Sequence, residues 1–395
     1  MRIVLFAGPS QVGWTFNFMS ELKISFEKLS AECLLLRCED ISFSNLRAVF
    51  DRFKPDFSLS INHMFPKFLD KAKKEFFFYD ALQVPHFVYL VDNPYIWLSS
   101  GTINFDSKFL HVITIDNKHI LEQAGVSSVA EIPYGCPASL KCPALQSPDV
   151  KNMRVFFAGS ISSAKAEAEK VNNSNLLPEQ KQAVIAYCQE IFGELSDEKK
   201  FLKTNLLDRF YKKYEAEFYG YVKNNRALAG AFGVVEKFYE CLAREFFVNQ
   251  LKESGIPCLM AGDSAMAHLC SGAPNMKYLE PVEYARFASM LSQMAVNLNV
   301  TPKHLHVHDR VTSTLMSGSL LITTPMPKLV ERIPELKDVI IQAEFGSVEH
   351  LKEMEAVIGN KAEYQRRIDA GVEIAGKEMT WDVCAERILA FAKDK

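Results

Sequence analysis

The residues best equipped for chemistry lie in the run KHLHVHDR, which holds Lys303, His304, His306, His308, Asp309 and Arg310. Cations crowded beside one carboxylate suit an anionic ligand such as a diphosphate, and the carboxylate suits ribose hydroxyls. In an extended chain the alternate histidines would share a face and could bind a metal ion. No Asp, Glu or Cys cluster completes such a site, and the reading assigns no metal and no cofactor. The flanking sequence gives this run its position. Ala295 to Val300 alternates like a strand, Thr301 to Val307 is a polar loop, and His308 to Ser317 has helical spacing. Gly318 then stops the helix, and Leu320 to Ile322 is a short apolar strand ending at Thr323. Strand, helix, strand is the plan of a parallel βαβ unit, whose ligands sit beyond the carboxyl ends of the strands and against helix N-termini.

Two carboxyl-end positions elsewhere could take a proton. Asp92 closes the apolar run HFVYLVD, and a carboxylate there could act as a general base on a hydroxyl; the plainer alternative is a turn-initiating Asp. His63 follows the strand PDFSLSIN, and His86 precedes its strand. The loop GPSQVGW lacks the close glycines of a dinucleotide fingerprint, so a nicotinamide cofactor is not expected. Gly13 would let backbone approach a ligand and Trp14 could stack on it, or Trp14 could simply fill the core. Asp263, after Gly262, fits either a ligand contact or an Asx turn.

The elements that must position these residues alternate. Strands are expected at 2–7, 33–36, 56–61, 86–92, 109–115 and 129–132, with helices at 16–29, 44–53 and 66–78 between them. A proline-rich linker follows at 136–152. MRVFFAGS then restarts the pattern and echoes MRIVLFAGPS at the N-terminus, so a second domain opens with a strand, Gly159 and Ser160. Residues 163–252 read as a helical insertion. Strands at 256–260, 275–279 and 339–341 and helices at 281–291, 347–358, 361–376 and from Thr380 complete the chain. The expected fold class is α/β: two Rossmann-like domains facing a cleft, at 1–135 and 153–376, with the last helix, 377–395, packing back on the first.

The chain has 395 residues, 48 % of them hydrophobic, and a net charge of −3, which argues against a protein that coats nucleic acid. Its nine cysteines form no CxxC pair and read as reduced thiols, placing the expected compartment in the cytoplasm. MRIVLFAG is too short for a membrane span.

HDRVTSTLMSGSLLITT resembles the donor-site segment of GT-B glycosyltransferases, specifically the group similar to the spore-maturation protein CgeB. Arg310 and Gly318 match that pattern. Asp309 stands where the family has Glu, and Ser313 replaces a second acid. YQRRIDAGVEIAGKEMTWDVCAERILAF resembles the family's ending, and PDFSLSIN and VPHFVYLVDNP resemble its first domain weakly. The resemblance implies transfer of a sugar from a nucleotide-sugar to a hydroxyl of a glycan or protein, without metal. The donor would meet Gly159, Ser160, Asp263, Lys303, His304, His306, His308, Asp309, Arg310 and Thr323; the acceptor would meet Gly13 and Trp14; Asp92 or His63 would be the base. A non-catalytic glycan- or protein-binding protein is the second reading, and a nucleotide-sugar epimerase the third.

Overall fold

The computed structural model describes residues 1–140, 154–161 and 240–395, apart from 11–12, 40, 71, 93, 101, 242, 301–307 and 345–346, together with residues 178 and 182. Most of the expected helical insertion and linker lie outside the described residues. The chain forms two units, Met1–Pro137 with Met379–Lys395, and Ala138–Glu378.

The first unit is built on a six-stranded parallel sheet. Its strands are β1 (Arg2–Ala7), β2 (Glu32–Arg37), β3 (Phe57–Ile61), β6 (His86–Leu90), β7 (Leu110–Thr114) and β8 (Val129–Glu131), in the order β2-β1-β3-β6-β7-β8. β3, β6 and β7 are buried along their whole length, as expected for strands covered on both faces by helices. The order reverses between β1 and β3, so the carboxyl ends of these strands form the switch point where such sheets hold ligands.

The C-terminal helix Trp381–Lys393 belongs to this unit. Thr380 caps it by accepting from Val383 N at 3.3 Å. Trp381 packs edge-on against Phe18 with ring centroids 4.0 Å apart. It also lies against Gly135, where a Cβ would come within 2.7 Å of the indole, so only glycine fits.

Residues 66–78 are not the helix expected. They form an antiparallel hairpin of β4 (Lys67–Leu69) and β5 (Glu75–Phe77), followed by a short helix Phe78–Leu82. Asp70 makes the turn by accepting from Ala72 N at 2.8 Å and Lys74 N at 2.9 Å. Alternation then brings Phe68 and Phe76 onto Phe43, with centroids 5.2 and 5.0 Å from it. That distant aromatic contact overrides the local helical spacing.

The second unit has its own six-stranded parallel sheet. The strands are β9 (Val155–Ala158), β10 (Cys258–Ala261), β11 (Met276–Leu279), β12 (Val296–Asn299), β13 (Leu320–Thr323) and β14 (Ile341–Gln342), in the order β11-β10-β9-β12-β13-β14. This is the doubly wound nucleotide-binding order, with its switch point between β9 and β12. The helix Asp309–Met316 joins β12 to β13 and is buried from Arg310 onward. Gly318 ends it with φ of 72°, a left-handed conformation that glycine adopts without strain. Gly371 of the helix Lys361–Glu378 lies close under Leu315. Phe156, Leu259, Leu291 and Met294 fill one side of this sheet. Among the described residues no helix is long and apolar enough to cross a membrane.

Candidate active site

The KHLHVHDR run reaches the second switch point through its last three residues. His308 precedes the helix Asp309–Met316, and Arg310 stands in the first turn. A cation there opposes the helix dipole, so something else must hold it. Arg310 Nη1 donates to the carbonyl of Ala158, the last residue of β9, and the guanidinium lies over the Phe157 ring at 5.9 Å. Space for this exists because residue 159 is glycine: a Cβ there would stand 2.8 Å from Arg310 Nη1. Gly262, after β10, is required next door, because a Cβ on it would strike the carbonyl of Gly159. The two glycines let two strand ends and one guanidinium converge.

A second arginine joins them. Arg244, on the helix through 240–254, donates from Nη1 to the carbonyl of Ser160 at 2.8 Å and pairs with Glu240 one turn earlier. Arg310 and Arg244 thus bracket Gly159. Burial pushes the Arg310 guanidinium down to about 10, and the like charge of Arg244 pushes the same way. Two buried guanidiniums side by side are costly unless anions offset them. Glu240 and Asp309 supply two charges, and an anionic ligand would supply more.

Asp309 is held well below the ordinary carboxylate range. Burial alone would raise it, but the hydrogen-bonded imidazole of His308 and the charge and main-chain N–H of Arg310 outweigh that. Arg310 N donates to Asp309 Oδ1 at 2.8 Å. His308 Nδ1 lies against Asp309 Oδ1 and is 3.3 Å from both Arg310 N and Arg310 Nε, while Nε2 is 3.3 Å from Arg310 Nη2. Burial lowers the His308 pKa, which favours the neutral ring.

The other expected contacts fare differently. Asp263 caps the helix Ser264–Cys270 by accepting from Met266 N at 3.2 Å, the local role that stood as the alternative to a ligand contact. Thr323 ends β13, is fully buried, and accepts from Asn299 Nδ2 at 3.0 Å. Lys303, His304 and His306 lie outside the described residues. Among the described residues, no group of three His, Cys, Asp or Glu side chains could hold a metal ion. Arg244, Glu240 and Gly262 were not singled out from sequence; the only signal for the first two is their i,i+4 spacing in a helical run.

In the first unit, Asp92 and His63 follow adjacent strands, since Ile61 of β3 lies opposite Tyr89 of β6. Asn62 ties these ends together. It takes a left-handed φ of 48°, accepts from Val91 N at 3.0 Å, and donates to Asp92 Oδ2 at 2.8 Å. Asp92 is exposed. His63 lies tilted against Trp97 with centroids 4.5 Å apart, and among the described residues its buried Nδ1 has no hydrogen-bond partner. Burial and the charge of Lys67 lower its pKa. His86 is instead a core residue, held between Ser58 Oγ at 2.9 Å and Ser60 Oγ at 3.1 Å. Gly13 is exposed with φ of 69°, and Trp14 opens the helix Trp14–Lys28, half-buried against Phe18 and Tyr134.

Residues 244–390 match a family model described as glycosyl transferase-like, a little over a third of the chain. No curated protein sequence matches. Among solved structures, an alpha-glucosyltransferase in complex with UDP and a 13-mer DNA is 11 % identical with a TM-score of 0.58, over 100 % of this chain and 99 % of that one. Anabaena Alr3699/HepE in complex with UDP-glucose is 9 % identical with a TM-score of 0.55, over 100 % of both chains. A glycosyltransferase from Rickettsia africae is 9 % identical with a TM-score of 0.53, over 100 % of this chain and 98 % of that one. The chain therefore has the GT-B glycosyltransferase fold, and its glycosyl transferase-like segment begins at Arg244 and contains Arg310.

Proposed function

We propose that this protein is a metal-independent glycosyltransferase of the CgeB-like kind, moving a hexosyl or related group from a nucleotide-sugar to a hydroxyl of a glycan or protein. The observation that carries the reading is the meeting of Arg310 with Gly159 at the switch point of the second sheet, beside the N-terminus of the helix Asp309–Met316. Fixed positive charge and the dipole of a helix N-terminus stabilise a departing diphosphate. UDP-sugars are the first donors to test, because the neighbouring structures hold UDP and UDP-glucose.

In the reaction, the bond between the sugar's anomeric carbon and the diphosphate oxygen breaks. The acceptor oxygen forms the new bond to that carbon, and its proton passes to a base, for which Asp92 is the first candidate and His63 the second. The free cysteines fit the cytoplasm as the compartment.

Thermal stability and calorimetry with UDP, other nucleoside diphosphates and UDP-sugars test the donor site. A ligand at 100 times its Kd adds about 2.7 kcal/mol of stability. Asp309→Ala removes a carboxylate that orders the first turn and that the donor reading assigns to the ribose. It should weaken UDP binding at least about tenfold, the worth of one charge-assisted hydrogen bond. Equal affinity in wild type and variant would remove Asp309 from the site.

A further inference from the structure

A cavity of about 210 Å³ opens at the carboxyl ends of β1 and β2 in the first unit, lined in part by Gly8, Ser10, Gly13, Phe16, Arg37 and Glu39. It is open to solvent on one side and large enough to take one sugar-sized group. Its wall is fixed. Thr15 donates its hydroxyl to the Gly8 carbonyl at 2.6 Å, and Ser10 Oγ accepts from Thr15 N at 3.0 Å. Gly13 offers no side-chain cap to the helix Trp14–Lys28, and no acidic residue stands in its first turn. Arg37 ends β2 opposite Ala7, with its guanidinium over the Phe16 ring at 4.7 Å. Glu39, two residues on, lines the same cavity, and Cys38 between them turns away to the carbonyl of Met64 at 3.4 Å.

Arg37 therefore brings one positive charge to the cavity and Glu39 one carboxylate, beside a helix start whose Thr15 N–H is held by Ser10 Oγ. A guanidinium pairs with a carboxylate or phosphate, and a carboxylate accepts from neutral hydroxyls. We propose that this cavity is the acceptor subsite, taking a monosaccharide unit that carries one anionic group: Arg37 binds the anion and Glu39 accepts from ring hydroxyls. The assignment rests on the glycosyltransferase reading for the word acceptor, and on the cavity alone for the ligand chemistry.

The test uses the full chain with glucuronate, glucose 6-phosphate and glucose as probes, binding followed by saturation-transfer NMR and titration. Both anionic sugars, or one of them, should bind at least about tenfold more tightly than glucose. The two anionic arms tell a carboxylate from a phosphate. Arg37→Met keeps the stem over Phe16 and should abolish the preference, and Glu39→Gln should weaken all three probes. UDP affinity should be unchanged in both variants. Glucose binding as well as the anionic sugars, no binding of any probe, or an undiminished preference in Arg37→Met would each overturn the proposal. UDP failing to bind wild type while the anionic sugars bind would leave the subsite standing and remove the glycosyltransferase reading instead.

Discussion

Arg310 Nη1 lies 2.8 Å from where a Cβ of residue 159 would stand, and it donates to the carbonyl immediately before that residue. Glycine at 159 and arginine at 310 are one device: the missing side chain is the guanidinium's seat.

Gly159→Ala and Gly262→Ala should separate a displaced side chain from a displaced strand end. At 159 the obstacle is the far end of a flexible arginine, which can swing away. The variant should fold with little loss of stability but bind UDP more weakly, because Arg310 leaves its place. At 262 the obstacle is the main-chain carbonyl of Gly159, which cannot swing. That variant should lose stability by about 1–3 kcal/mol, the range for overpacking. Urea denaturation beside UDP titration measures both, and full UDP affinity in Gly159→Ala would show that Arg310 does not serve the donor.

Chelation tests the absence of a metal requirement. With the charge of the leaving diphosphate met by Arg310 and a helix N-terminus, transfer should survive EDTA at the wild-type rate. Loss of activity restored by Mn²⁺ or Mg²⁺ would instead point to His304 and His306 as the first ligands to examine.

Much of this was legible because single-residue patterns coincide with whole elements. HFVYLV reads as a near-continuous apolar strand, and the run from His308 to Thr323 carries helix, glycine stop and strand in order. Residues 66–78 were not legible, because their fate depends on Phe43, outside the segment. Arg244 escaped notice because a buried arginine looks like any other helical cation until Ser160 and Glu240 are seen around it. Asp263 and Thr323 stand at strand ends as the donor reading requires, and each also has a local bond, a helix cap and a cross-strand hydrogen bond, that the sequence does not show. A strand end shows where a side chain sits, not what it is bonded to.

His86 should make the first unit acid-sensitive. Burial, with a smaller contribution from His111, pushes its pKa from 6.5 down to about 3. The unfolded chain then binds a proton that the native state refuses, so stability is full above 6.5 and falls as pH drops from there toward 3. His111, lowered to about 4 chiefly by burial, adds in the same direction. His86→Phe leaves Ser58 and Ser60 without their imidazole and should be less stable at neutral pH, but its stability should fall less steeply with acid. Urea midpoints across that window would decide, and an unchanged slope in the variant would assign the acid sensitivity elsewhere.

The base decides between an enzyme and a binding protein. Asp92 is exposed, lies two residues beyond the end of β6, and is steadied by Asn62 Nδ2 at 2.8 Å. Asp92→Asn keeps an oxygen to accept that bond, so the local geometry should persist while the ability to take a proton is lost. Donor affinity should stay at the wild-type value and turnover should drop about 10²–10⁴-fold, the usual worth of general-base help. His63→Gln is the companion variant. Its ring is kept neutral by burial and could also accept a proton, but in this mechanism its removal should cost far less than that of Asp92. Glycosyl transfer, or slow donor hydrolysis in the absence of acceptor, is the assay for all three proteins. Equal rates in wild type and Asp92→Asn would hand the role to His63. A wild-type protein that binds UDP-sugars yet neither transfers nor hydrolyses them would be a binding protein on a transferase fold.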